Sequence, residues 1–263
     1  MAKKKKTKKL TKFGNILLDI IIVIAIGIAA FSGYNLYLSL KEYKDSDNAY
    51  AEIAENAVEV APPAPNEEGQ PQEESFSPAI SINFEALKNT NPDFRGWVYL
   101  ADSAINYPIV QGMDNSYYLD HLFTGEYNHS GCVFIDYRND GFNDTNTVLY
   151  AHHMRNGTMF ADVVKYKDQA YYNAHKQIEI YTEGKTYVMY PVAGIYTTGS
   201  EEYVQTNFES DDAYMNYVNR FLRDSTFTSE QTITPQDKMM MLSTCSYNVE
   251  DGRYVLIGKL VEQ

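Results

Sequence analysis

The chain has 263 residues, 44% hydrophobic and 22% charged, which gives room for one domain of about 150–200 residues plus appendages and excludes wholesale disorder or a collagen-like repeat. Its formal charge of −13 hides an asymmetry, because seven of the 22 basic residues are lysines within the first twelve positions. Residues 41–263 hold 15 basic against 34 acidic side chains, a net of −19, and this argues against a nucleic-acid reader, since neutralising phosphate needs a basic surface.

Residues 1–15 read as a basic tail and residues 16–40 as a membrane anchor. From Ile16 to Leu40 only Asp19 is charged, and a helix of that length spans a hydrocarbon core of roughly 30 Å. A secretory signal peptide also starts with basic residues, but its apolar region is typically only about 7–15 residues long. Ala29-Ala30 and Ser32-Gly33 are the candidate cleavage sites for that alternative, and the uncleaved anchor is preferred. The positive-inside rule keeps the lysines cytoplasmic and puts everything after Leu40 on the extracellular face. Residues 41–79 are expected to form a stalk. Its first twenty residues suit a polar helix, and Pro62, Pro63, Pro65 and Pro71 then forbid helix. Nine acids and no base between Asp45 and Glu74 make it self-repelling and extended.

Residues 80–263 are the expected folded domain. A short amphipathic helix in FEALKNTNPDF stops at Asn91-Pro92. Runs rich in Val, Ile, Tyr and Thr predict strands at Gly96–Leu100, Ile105–Val110, Cys132–Asp136, Thr147–Tyr150, Ile178–Tyr181, Thr186–Ile195, Lys238–Thr244 and Arg253–Val261. Such an array suggests a barrel or a sandwich. Ser210–Ser225 carries acids in its first turn and apolar residues at Tyr214, Tyr217, Val218, Phe221 and Leu222, so one amphipathic helix is inserted among the strands.

Two cysteines cannot form a disulfide scaffold or a four-thiolate zinc site. Cys245 ends the apolar run MMMLSTCSY, and Arg253 opens the next strand eight residues later, so a hairpin would bring the guanidinium beside the sulfur. A neighbouring cation favours thiolate, and the arginine donors can hold a developing oxyanion. His152 and His153 follow the strand-like NTVLY and supply the near-neutral acid/base that a thiol nucleophile needs. Adjacent residues point to opposite faces of a strand, so only one of the two can address the cysteine. No HExxH, CxxC or dense carboxylate loop is present, and no metal site is expected. A Cys132–Cys245 bridge is the competing use of sulfur, with a buried free thiol preferred for Cys132.

The order of basic start, membrane span, stalk, then His, Cys and Arg on a β-rich ectodomain resembles a sortase, a Gram-positive surface transpeptidase. LSTC followed by GRYVLIGKL is similar to the sortase TLxTC signature with its downstream arginine. INFEALKNTNPDFRGWVYL, NYPIVQGMDNSYYLDHLF, GCVFIDYRND and VLYAHHMRNGTMF resemble class B segments in the same order. Met241 stands where the signature usually has threonine, and Ala151 where glycine usually precedes the histidine. The resemblance runs from about Ile82 to Gln263. It implies a mainly β fold: a closed barrel of about eight strands with N-terminal helices and a helix before the cysteine strand. It also implies Cys245 as nucleophile, His152 as acid/base and Arg253 as stabiliser, with Asn115, Leu119, Tyr150, Tyr203, Val204 and Ser243 contacting substrate. The implied reaction cleaves a C-terminal sorting signal at threonine and joins the surface protein to an amino group of a cell-wall precursor, or to a pilin lysine in a polymerising member. No cofactor is implied. A papain-like peptidase fits less well, because there the cysteine precedes the histidine and opens a helix. A non-catalytic anchored ectodomain for binding is the non-enzymatic alternative.

Overall fold

The computed structural model describes residues 12–60, 78–199, 203–246 and 251–263. The chain divides into two compact units, Met1–Asp45 and Ser46–Gln263. The first is the greater part of helix α1 (Lys12–Ala57), which is long and apolar enough to cross a membrane by length and composition. No buried side chain of α1 lies before Ser46.

The second unit starts earlier than residue 80. Residues 46–57 of α1 bury Ser46, Tyr50 and Ala57. Tyr50 donates its hydroxyl to the Gly131 carbonyl and meets the Tyr107 ring edge-on at 5.2 Å. Val58–Val60 (β1) then pairs antiparallel with Ile80–Ile82 (β2). Residues 46–60 therefore pack as part of the folded unit rather than as stalk. Composition hides this, because three small or aromatic residues are enough to seat a helix whose other face is acidic. The proline-containing stretch expected to be extended, residues 61–77, lies outside the described residues.

Helix α2 (Phe84–Thr90) is capped by the Asn83 side chain, which accepts from the Ala86 amide, and it ends before Asn91-Pro92. Eight strands follow: β3 (Phe94–Tyr99), β4 (Asn106–Val110), β5 (Val133–Ile135), β6 (Asn146–Tyr150), β7 (Ile178–Thr182), β8 (Lys185–Thr198), β9 (Lys238–Ser246) and β10 (Gly252–Glu262). They close into a barrel in the order β10-β8-β7-β3-β4-β5-β6-β9. Closure selects the barrel over the sandwich and leaves no bare edge. Each expected strand is present, with ends shifted by a few residues. Between β6 and β7 lie a 3-10 helix (Phe160–Lys167) and a short helix α3 (Gln169–Ala174) that the sequence pattern did not suggest.

Two pairings are parallel, β4 with β5 and β6 with β9. Parallel neighbours need long crossovers, and these crossovers bring functional side chains to the site. The second crossover contains α4 (Asp211–Arg223), whose N-cap Ser210 accepts from the Ala213 amide and whose acidic first turn and basic last turn suit the helix dipole. Tyr214, Val218 and Phe221 of α4 pack on Val148, Met241, Val255 and Ile257 of the barrel. The helix thus covers one face of the β6–β9–β10 sheet.

Candidate active site

The site follows from the register of three adjacent strands. On the helix-covered face, Val148, Met241 and Ile257 form one cross-strand row, and Tyr150, Ser243 and Val255 form the next. Side chains repeat every second residue on a strand face. One further step along β9 and β10 therefore sets Cys245 opposite Arg253, and the same step beyond the end of β6 reaches His152. Ala151 keeps the chain beside β9, since its amide donates to the Ser243 carbonyl and its own carbonyl accepts from the Thr244 hydroxyl. The first row is sealed under α4, and the third borders an open pocket.

That pocket, of about 480 Å³, is lined by all nine side chains singled out from the sequence: Asn115, Leu119, Tyr150, His152, Tyr203, Val204, Ser243, Cys245 and Arg253. Phe134, Arg138, Ala151, Gly199 and Thr244 also line it and were not foreseen. Met241 is fully buried beneath it, where its sulfur accepts from the Tyr217 hydroxyl and the Asn146 amide. The departure at 241 is thus accommodated in the core one row below Ser243.

His152 is oriented by a residue from the β4–β5 crossover. Its Nε2 lies 2.7 Å from the Leu119 carbonyl oxygen, which can only accept, so Nε2 carries a proton and Nδ1 is the atom left for chemistry. Burial lowers the His152 pKa below the ordinary imidazole value, and His129 and Arg253 push the same way, against the Leu119 hydrogen bond and Asp120. The neutral imidazole is therefore favoured at neutral pH. Cys245 is half-buried and makes no disulfide. Cys132 is also free, fully buried, and pushed up to about 12 by desolvation. The expected alternative of a Cys132–Cys245 bridge is not what the structure has. Arg253 is held by Asp251 at 3.0 Å and by the Gly252 carbonyl at 3.1 Å. Gly199 backs this pair: a Cβ there would fall 2.6 Å from the Asp251 carboxylate and 3.0 Å from the guanidinium.

The groove floor is a hydrogen-bonded network around buried Asp136. Arg138 grips the carboxylate with Nε and Nη2 at 2.8 and 2.7 Å, while Asn115 and Tyr150 donate to Oδ2 at 3.0 and 2.9 Å. Tyr203 and Ser243 join hydroxyls at 2.7 Å beside it. Burial alone would raise the Asp136 pKa, and the Arg138, Asn115 and Tyr150 hydrogen bonds reverse the sign, leaving it below the ordinary carboxylate value. Its folded pKa lies below the unfolded one, so this stabilisation is complete above about pH 4 and is lost as pH falls through the folded value. Asp136→Asn should cost about 2–3 kcal/mol at pH 7 and progressively less as acid protonates the folded carboxyl, read from denaturant midpoints along a pH series. The motif DYRND held this signal, but only the fold shows that Asn115 and Tyr150 converge on its first residue.

Among the described residues, no group of three or more His, Cys, Asp or Glu side chains is arranged to hold a metal ion.

A family model for the sortase domain matches residues 99–261. The chain is 32% identical to sortase B of Listeria monocytogenes over 247 residues, covering 91% of this chain and 94% of that one. It is 34% identical to sortase B of Staphylococcus aureus over 186 residues, covering 70% and 76% respectively. Among solved structures, sortase B from B. anthracis superposes with a TM-score of 0.70 at 32% identity, over 85% of this chain and 100% of that one.

Proposed function

This chain belongs to the class B sortases, and from that premise we propose that it cleaves a C-terminal sorting signal at a threonine and joins the surface protein to an amino group of a cell-wall precursor. The observation that carries the reading is the third cross-strand row, which gathers a thiol, an imidazole and a guanidinium on the lining of one open pocket.

Cys245 Sγ attacks the threonine carbonyl carbon as its proton passes to His152 Nδ1. The carbonyl π electrons move to oxygen, and the Arg253 guanidinium stabilises that oxyanion. Collapse breaks the peptide C–N bond, His152 returns the proton to the leaving amine, and a thioacyl enzyme remains. The acceptor amine then attacks the thioester, gives its proton to His152, and expels Cys245. Asn115, Leu119, Tyr150, Tyr203, Val204 and Ser243 would bind the sorting signal along the groove. Residues 16–40 would anchor the enzyme in the membrane, with residues 1–15 cytoplasmic and the catalytic unit outside.

The test incubates the full chain in detergent with a pool of sorting-signal peptides and a small amine, and reads products by mass spectrometry. Cleavage after threonine with the amine attached is expected. Product bearing only water would replace transpeptidation with hydrolysis, a preference for lysine side chains would point to pilin polymerisation, and no product from any peptide would overturn the reading. Arg253→Ala should lower kcat/KM by about 10²–10³-fold, and Arg253→Lys should recover little, because an ammonium lacks the planar fork.

A further inference from the structure

His153 faces away from the pocket, yet it is bonded to the cysteine strand. Its Nδ1 lies 3.1 Å from the Cys245 carbonyl oxygen. That oxygen can only accept, so Nδ1 is the nitrogen that carries the proton and donates. His152 and His153 are adjacent, so their alternation sends one ring toward the pocket and the other along the back of the strand. The dipeptide is pinned at both rings, by Leu119 and by Cys245.

The loop behind it is closed as well. The Phe160 amide donates to the His152 carbonyl at 2.9 Å, and His153 forms an isolated bridge with Met159. Met159 is fully buried at φ 57, a backbone region unfavourable for its side chain, and its amide donates to the Tyr107 hydroxyl. A strained residue held this firmly keeps the loop from sliding along β9. With β6 ended at Tyr150, no regular β-ladder pair with β9 extends as far as His152. Ala151 continues the contact as far as Thr244, and the His153 hydrogen bond carries the register one residue further, to Cys245.

We propose that His153 is a positioning residue, which holds the His152 backbone in register with Cys245 so that the imidazole and the thiol meet at productive distance. This rests on the transpeptidase reading for its kinetic consequence. Misplacement of a reacting group by about 1 Å can cost on the order of 10²-fold.

Three variants separate this role from packing. His153→Phe keeps the ring and removes the donor, and should lower kcat by about 10–100-fold while KM stays within about twofold. His153→Ala should do the same. His153→Asn places Nδ2–H at the same branch position as Nδ1–H and should restore kcat to within a few-fold. The acidic limb of the pH profile should not move in any of them, because it belongs to His152. Thermal melting reports folding, and the rate at which a small methanethiosulfonate modifies Cys245 reports the thiol without any peptide. Cys132 is buried and does not compete for the reagent. The modification rate should fall in the Phe variant and return in the Asn variant. Wild-type kcat in His153→Phe, failure of Asn to rescue, or a loss confined to KM would each overturn the proposal. If the wild type makes no ligated product, the transpeptidase reading fails, while the thiol rates still decide whether His153 positions Cys245.

Discussion

Cys245→Ala is expected to lower peptide cleavage by about 10⁴–10⁶-fold and to leave no acyl adduct on the protein, read by single-turnover assay and intact-mass spectrometry. The covalent route needs a nucleophile that can both form and release a thioester, and the only other cysteine cannot substitute. Cys132 is buried on β5's approach, donates to the Pro108 carbonyl, and has its pKa pushed up to about 12. The loss should be chemical rather than structural, because Cys245 is only half-buried at the end of β9 and the core rows beneath it are untouched. Melting of the variant should therefore match the wild type. Retained turnover in Cys245→Ala would sink the enzyme reading and favour a binding ectodomain.

His152→Ala should lower kcat/KM by about 10²–10⁴-fold, the usual contribution of a positioned acid/base. The wild-type pH profile carries a second signature of the same group. Burial together with His129 and Arg253 lowers the His152 pKa, so the neutral base persists into mildly acidic solution. Activity that requires the neutral imidazole is lost as pH falls through that lowered value, and the acidic limb of kcat/KM should lie below the unperturbed imidazole value of about 6.5. A limb at or above that value would show that burial does not govern this histidine.

The two predictions share one geometrical origin. Residues 152, 245 and 253 are separated by 93 and 8 positions in the chain, and they meet because β6 and β9 run parallel while β9 and β10 form a hairpin. The hairpin is local, and the placement of Arg253 beside Cys245 was readable from an eight-residue spacing between two β-like runs. The parallel pairing is not local: its crossover contains β7, β8 and α4, and nothing in NTVLY specifies MMMLS as its neighbour. Similarity to a known family supplied that link at the level of sequence.

What the sequence by itself determined are features with a short-range cause. The apolar run of α1, the eight alternating or Val/Ile/Tyr-rich strands, the Ser210 cap with its acidic first turn, and the divergence of His152 from His153 all depend on neighbours a few residues away. What only the tertiary structure decided depends on partners far along the chain. Tyr50 belongs to the folded unit because it reaches Gly131, 81 residues on. Nδ1 of His152 is the free atom because Leu119, 33 residues earlier, takes Nε2. Arg138, two residues on, is the main group holding Asp136 ionised, and only the fold adds Asn115 from a loop and Tyr150 from β6 to the same carboxylate. Local propensity sets which segments are strands and helices. Barrel closure sets the register between them, and with it every distance at the site.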